Sequence, residues 1–211
     1  MRPFLVGIAG ASCSGKTELA RGLARQLLED ALPVALDHYY LDRTHIPEPA
    51  RSAFNFDHPD ALDAPLLIRD IESLKNGLAI EQPRYSFVTH ARLESTEPVA
   101  PRPVILVEGL FSLYWPALRN LLDLKIYVET PDEECYARRL RRDISERGRT
   151  AQSIERQYSV TVRPMALTYV RPTARFADLT VSGVVPLDSS IAAALNAIEA
   201  RRIARDDFHT E

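Results

Sequence analysis

The chain has 211 residues, a formal net charge of −3 and a pI of about 6.0, with 45% hydrophobic and 26% charged residues. That length suits one domain with a real core, and the balance excludes a bulk cationic field that would attract nucleic acid or an anionic membrane. Two cysteines, Cys13 and Cys135, have neither metal-ligand spacing nor the density of a disulfide scaffold, which reads as a reducing cytoplasm.

Arg2 and the apolar run to Ala11 loosely imitate a signal peptide, but Gly-Lys-Thr and an amphipathic helix follow, so Phe4–Ile8 reads as a buried first strand. Leu19, Leu23 and Leu27 give Thr17–Leu28 helical spacing before Pro33. Val34–Leu36 is a second strand ending at Asp37, followed by a polar, proline-containing loop to about Asp60. Asp63 caps a predicted helix over Pro65–Asn76, which Gly77 stops. Ile80–Glu94 alternates as extended structure, within an excursion spanning about 38–100. Val104–Val107 is a third strand ending on Glu108-Gly109; the apolar stretch to Trp115 is too short to span a bilayer. Leu124–Val128 is a fourth strand, and Thr130 is expected to cap the arginine-rich helix behind it. Leu179–Val181 makes a fifth strand, and Ser189–Arg205 a closing amphipathic helix. Alternating strands and helices predict a single-domain, three-layer α/β fold with a mostly parallel five-stranded sheet.

Gly10-Ala11-Ser12-Cys13-Ser14-Gly15-Lys16-Thr17 matches G-x-x-x-x-G-K-[ST] at every fixed position and lies between a predicted strand and a predicted helix. Successive backbone N–H groups and the helix N-terminus attract phosphate; Lys16 reaches the β- and γ-phosphates, and the Thr17 hydroxyl suits Mg²⁺. Only three lysines are present, Lys16, Lys75 and Lys125. Asp37 and Glu108 end strands, where parallel sheets bind ligands. Glu108 is placed for a magnesium site; Asp37 is placed to accept a hydroxyl proton or to orient that hydroxyl and the metal. Each could instead be a solvated strand end or helix cap.

Longer motifs carry a specific resemblance. Asp37-His38-Tyr39-Tyr40, Phe54-Asn55-Phe56-Asp57-His58-Pro59-Asp60, Gln82 to Arg92, Glu108-Gly109, Arg141 to Arg149 and Gln157-Tyr158 occur in order. Together they resemble uridine–cytidine kinases, within the phosphoribulokinase/uridine kinase group, over nearly the whole chain to about Val181. The resemblance implies the P-loop NTPase fold, a β-rich excursion at a nucleoside site and an arginine-bearing lid over about 138–160. It implies ATP or GTP as donor, Mg²⁺, and a homotetramer. It makes Asp37 the general base, with Asp57 and Arg139 on the ribose hydroxyls and Tyr85 and His90 on the pyrimidine. Tyr40, Phe56 and Phe87 wall the pocket, Arg149 and Gln157 complete it, and Arg142 and Arg147 face the transferred phosphate.

The residue types suit those roles. A carboxylate accepts from two hydroxyls of a cis-diol, aromatic rings offer flat area to a base, and arginines can close over phosphate charge. Alone, Tyr85 and Phe87 would read as core and His90 as a surface or core histidine; His58 reads as structural. Six arginines between Arg138 and Arg149 could form a solvated face or RNA patch, but Asp132, Glu133, Glu134, Asp143 and Glu146 dilute it in favour of a local lid. Cys13, Leu62, Ser86 and Ser182-Gly183-Val184-Val185-Pro186 depart from the family pattern. The rivals are a sibling kinase of a sugar phosphate or other hydroxylated metabolite, and a nucleotide switch without transfer. Tyr85, Phe87 and His90 supply no cation for a phosphorylated acceptor, and Asp37 supplies a switch with a proton acceptor it would not need.

Overall fold

The computed structural model describes residues 2–47, 50, 54–87 and 89–207. Part of the loop before Phe54, and Val88 of the aromatic motif, therefore lie outside the described residues. Five parallel strands form the sheet: β1 (Phe4–Gly10), β2 (Ala31–Ala35), β5 (Val104–Glu108), β6 (Leu124–Glu129) and β7 (Leu179–Ser182), in the order β2-β5-β1-β6-β7. β3 (Ile80–Ser86) and β4 (Ala91–Val99) pair separately as an antiparallel hairpin.

Side-chain alternation builds the three layers. Phe4, Val6 and Ile8 of β1 face α1 (Lys16–Leu27) and α7 (Leu187–Asp207), joining Leu19, Leu23, Ile191 and Ile198. Leu5 and Ala9 point the other way, to a core that includes Leu67, Ile71 and Leu74 of α2 (Ala64–Lys75) and Leu118 of α3 (Pro116–Leu121). Every β1 side chain is buried, as a central parallel strand covered on both faces requires.

Three local expectations change. β2 begins three residues earlier than predicted and contains Pro33, paired with Leu106. A proline fits there because β2 is an edge strand, where a missing N–H costs no ladder bond on the open side. Asp37 consequently stands on a 3₁₀ turn, Leu36–Tyr39, just past the strand. Thr130 does not cap α4 (Asp132–Arg147): the cap position is Pro131, and the Thr130 hydroxyl donates to the Ser14 carbonyl at 2.8 Å. Asp63 does cap α2, accepting from Leu66 N–H at 3.2 Å.

Behind α4 runs a helical path absent from the sequence outline: α5 (Ala151–Gln157), a π-helical segment Tyr158–Val162, the turn α6 (Arg163–Met165), a second π-helical segment Ala166–Val170, and a 3₁₀ stretch Arg171–Phe176. Pro164 and Pro172 each occupy the first turn of a new segment, where an N–H is dispensable. Among the described residues no helix is long and apolar enough to cross a membrane.

The ends of β6 and β7 brace the P-loop. A Cβ at Gly183 would collide with the Ser14 carbonyl and the Thr130 hydroxyl oxygen, so only glycine lets these segments meet. Gly183→Ala should therefore destabilise the protein by about 1–3 kcal/mol through overpacking, read as a lower urea midpoint. An unchanged midpoint would show that the loop yields without cost.

Candidate active site

β1 lies centrally, and chain connections run to both sides of it, which opens a crevice beyond the strand ends. The loop from β1 to α1 turns there, with Gly15 left-handed at φ 103° and Cys13 at φ 63°. The Ser14 carbonyl accepts from Thr130 and, at 3.4 Å, from Arg138, whose other nitrogen donates to the Gly183 carbonyl at 2.8 Å. The loop is thus held from behind, with Lys16 lining the cleft in front.

That cleft encloses about 1290 Å³. Ser12, Cys13, Gly15, Lys16 and Thr17 form one wall with Asp37. Tyr40, Phe56, Asp57, Phe87 and His90 form the second. Arg139, Arg142, Arg147, Arg149 and Gln157 close the third. Gly10, Ala11 and Ser14 shape the loop without lining the space. Glu108, only 7% exposed, lies under it and accepts from the Thr17 hydroxyl at 3.3 and 3.4 Å. Tyr85 does not line the cleft; its ring packs 5.1 Å from Tyr40 and 5.3 Å from Phe87.

The aromatic wall is tied together. Tyr40 donates to the Phe56 carbonyl at 3.2 Å, and the His90 ring stacks on Phe56 at 5.0 Å. His90 itself is left-handed at φ 50°, an uncommon backbone for a non-glycine residue, and its Nδ1 is buried with no hydrogen-bond partner among the described residues. His58 stands apart, with Nε2 against the Tyr169 hydroxyl at 2.9 Å and Nδ1 accepting from Asp60 N–H at 3.2 Å.

Two residues with no assigned role in the sequence reading prove central. Arg92 fastens the hairpin to the Asp37 turn, donating to the Tyr39 and Tyr40 carbonyls and to Asp63 at 3.1–3.2 Å. Asp143, wholly buried, gathers the lid arginines: Arg142 and Arg149 donate to it, and Arg139 and Arg147 face it at 3.7 and 3.6 Å. Its i,i+4 spacing from Arg139 and Arg147 was the available signal. Burial works to raise the Asp143 pKa, but the guanidiniums of Arg142, Arg139 and Arg147 outweigh it and hold the carboxyl below its ordinary value.

The cleft carboxylates behave oppositely. Desolvation raises the pKa of Asp37, Asp57 and Glu108, with Lys16 pulling each back. Asp37 is itself exposed to the water of the cleft, which screens its charge. Thr17 and Glu108, with Asp37 nearby, offer hard oxygen donors suited to Mg²⁺, whose remaining positions phosphate and water would fill.

A phosphate loop on the central strand of a parallel sheet, opposite a lined acceptor wall, defines a P-loop phosphotransferase. The sequence profile of the phosphoribulokinase/uridine kinase family matches residues 5–189, and the chain belongs to that family. It is 46% identical over 182 residues to the uridine kinase of Chloroflexus aggregans, covering 86% of this chain and 87% of that protein. It is 42% identical over 181 residues to the uridine kinase of Clostridium perfringens, covering 85% and 87%. The fold is shared with the phosphoribulokinase of Rhodobacter spheroides, with a TM-score of 0.64 at 15% identity over 86% of this chain and 70% of that one.

The raised carboxylates fix a sign for stability. Asp57 and Glu108 bind protons more readily in the folded state, so each contributes stability that is present at low pH and lost as pH rises through its raised value. Asp143, lowered from 3.8, acts in the opposite sense but only below that value. Glu108→Gln should therefore raise the melting temperature of the ligand-free protein at pH 7 by about 2–4 °C and flatten its dependence above pH ~4.5. A mutant melting lower at pH 7 would show that the ionised Glu108 stabilises the empty fold.

Proposed function

We propose that this enzyme transfers the γ-phosphoryl group of ATP or GTP to the 5′-hydroxyl of uridine and cytidine, yielding UMP or CMP and the nucleoside diphosphate. The observation that carries the reading is one cleft holding the phosphate loop, Asp37 and an aromatic wall ending at His90. The uridine kinase relatives support it.

In this reading the nucleoside 5′-oxygen attacks the γ-phosphorus in line, the bond to the β,γ-bridging oxygen breaks, and Asp37 takes the hydroxyl proton. Lys16, Arg142 and Arg147 stabilise charge on the transferring group. Asp57, with Arg139, holds the ribose 2′- and 3′-hydroxyls. Mg²⁺, when bound, screens the triphosphate charge, and Thr17, Glu108 and Asp37 are the residues that would hold it. Lid closure over the cleft excludes water, which would otherwise accept the phosphoryl group.

Base choice follows from His90. Uracil presents an acceptor at its 4-position and cytosine a donor, and a neutral imidazole can meet either by choice of tautomer. Phe56 and Phe87 narrow the slot to one ring.

Asp37→Asn keeps the shape and loses the proton acceptor, so kcat should fall by about 100-fold or more while triphosphate still binds. Near-normal turnover would remove Asp37 from the mechanism. With uridine, cytidine, adenosine and guanosine as acceptors, kcat/KM should be comparable for the pyrimidines and poor for the purines. His90→Ala should cost ~1–3 kcal/mol for both pyrimidines. A preference for adenosine, or a mutant indistinguishable from its parent, would mean that the base pocket has been misassigned.

A further inference from the structure

Asp143 uses its two carboxylate oxygens differently. One accepts from Arg142 Nε at 3.0 Å, is ion-paired to Arg142 Nη2 at 2.9 Å and faces Arg147 Nη1 at 3.6 Å. The other accepts from Arg149 Nη1 at 3.1 Å and faces Arg139 Nε at 3.7 Å. The proposed roles divide along the same line. Arg142 and Arg147 belong to the transferred phosphate, Arg139 and Arg149 to the nucleoside. The nucleoside pair is tied a second time, because Gln157 Oε1 accepts from Arg139 at 3.1 Å and from Arg149 at 2.6 Å. Arg139 also donates to Ser12 Oγ of the phosphate loop at 3.0 Å.

We propose that Asp143 is a positioning residue that couples the two substrates, one buried carboxylate being shared oxygen by oxygen between the phosphate-side and nucleoside-side arginines. This rests on the functional reading above and names a regulation of that same site. Four guanidiniums share this one buried carboxylate, while Asp37, Asp57 and Glu146 act on them through the space of the cleft. An arriving triphosphate gives Arg142 and Arg147 a stronger partner. Their hold on the first oxygen relaxes, and the carboxylate acts more fully on Arg139 and Arg149. Because Asp143 is sealed from solvent, water cannot absorb that redistribution, and it reaches the nucleoside side. Linkage makes the effect reciprocal: bound nucleoside favours triphosphate by the same factor. A merely structural ion cluster would change melting temperature and leave the two affinities independent.

The test is calorimetric titration of uridine, with and without the β,γ-imido analogue of ATP plus Mg²⁺, alongside thermal melting. In the unmodified protein the analogue should tighten uridine binding by about 5- to 150-fold. In Asp143→Asn, which gives one side an N–H₂ group in place of an acceptor, that factor should collapse to about twofold or less. The analogue alone should bind the mutant within a few-fold of normal, through Lys16 and the phosphate loop. Asp143→Glu keeps the charge that the arginines pair with, its melting temperature reporting whether the fold is intact, but it displaces both oxygens by a methylene and should also lose the coupling. Arg156→Gln, exposed on α5, should retain it. Coupling preserved in the Glu or Asn variant would overturn the proposal, as would an unmodified protein whose uridine affinity ignores the analogue. If the unmodified protein neither binds nor phosphorylates uridine, the functional reading falls first, and the inference falls with it.

Discussion

The phosphate loop works only if its backbone keeps an open curl, and the carbonyl of Ser14 is where three other elements brace that curl. Ser14 O accepts from the Thr130 hydroxyl and from Arg138, and the bare Cα of Gly183 lets the end of β7 close against it. Each partner comes from a different element: Thr130 follows β6, Arg138 sits on α4, and Gly183 follows β7. The loop, the lid helix and the far edge of the sheet are thereby fixed to one point. Lys16 at the start of α1 inherits its position from that point, and so does Arg139, one residue beyond Arg138 and bonded to Ser12.

The opposite wall is fixed by a comparable device. Arg92 reaches from the hairpin to the carbonyls of Tyr39 and Tyr40 and to the Asp63 cap of α2. An arginine can do this because its planar fork presents several donors in fixed directions. The Asp37 turn, the hairpin and the helix behind it therefore move as one piece, and Tyr40 and His90 face the cleft from a shared frame. The site is a gap between two braced bodies, which suits a reaction that depends on holding two substrates in line.

Charge is distributed to match. Asp57 and Glu108 are desolvated and carry raised pKa values, a cost borne by the empty protein and relieved when cations and hydroxyl groups arrive. On the lid the relation is inverted, since one buried carboxylate faces an excess of guanidiniums that an incoming polyphosphate would neutralise. Each half of the site is electrostatically incomplete in the sense that its proposed ligand completes.

The sequence by itself determined a good deal. Five strands, the P-loop, the Asp63 cap and the strand-end position of Glu108 were legible because each depends on local pattern: alternation, a glycine-lysine turn, a capping carboxylate. The extent of β2 was not legible, because whether Pro33 belongs in a strand depends on that strand being an edge. The Thr130 hydroxyl was misassigned for a similar reason, since its acceptor is 116 residues away. The helical path through Pro164 and Pro172 was not anticipated, since its π-helical and 3₁₀ segments follow no single helical period. Of the site, the residue types were readable and the groupings were not: nothing in the spacing alone places Arg92 on the Asp37 turn or divides four arginines between the two oxygens of Asp143. Such contacts join distant segments, and a chain's local preferences carry no information about which of its distant parts will meet until the core has packed.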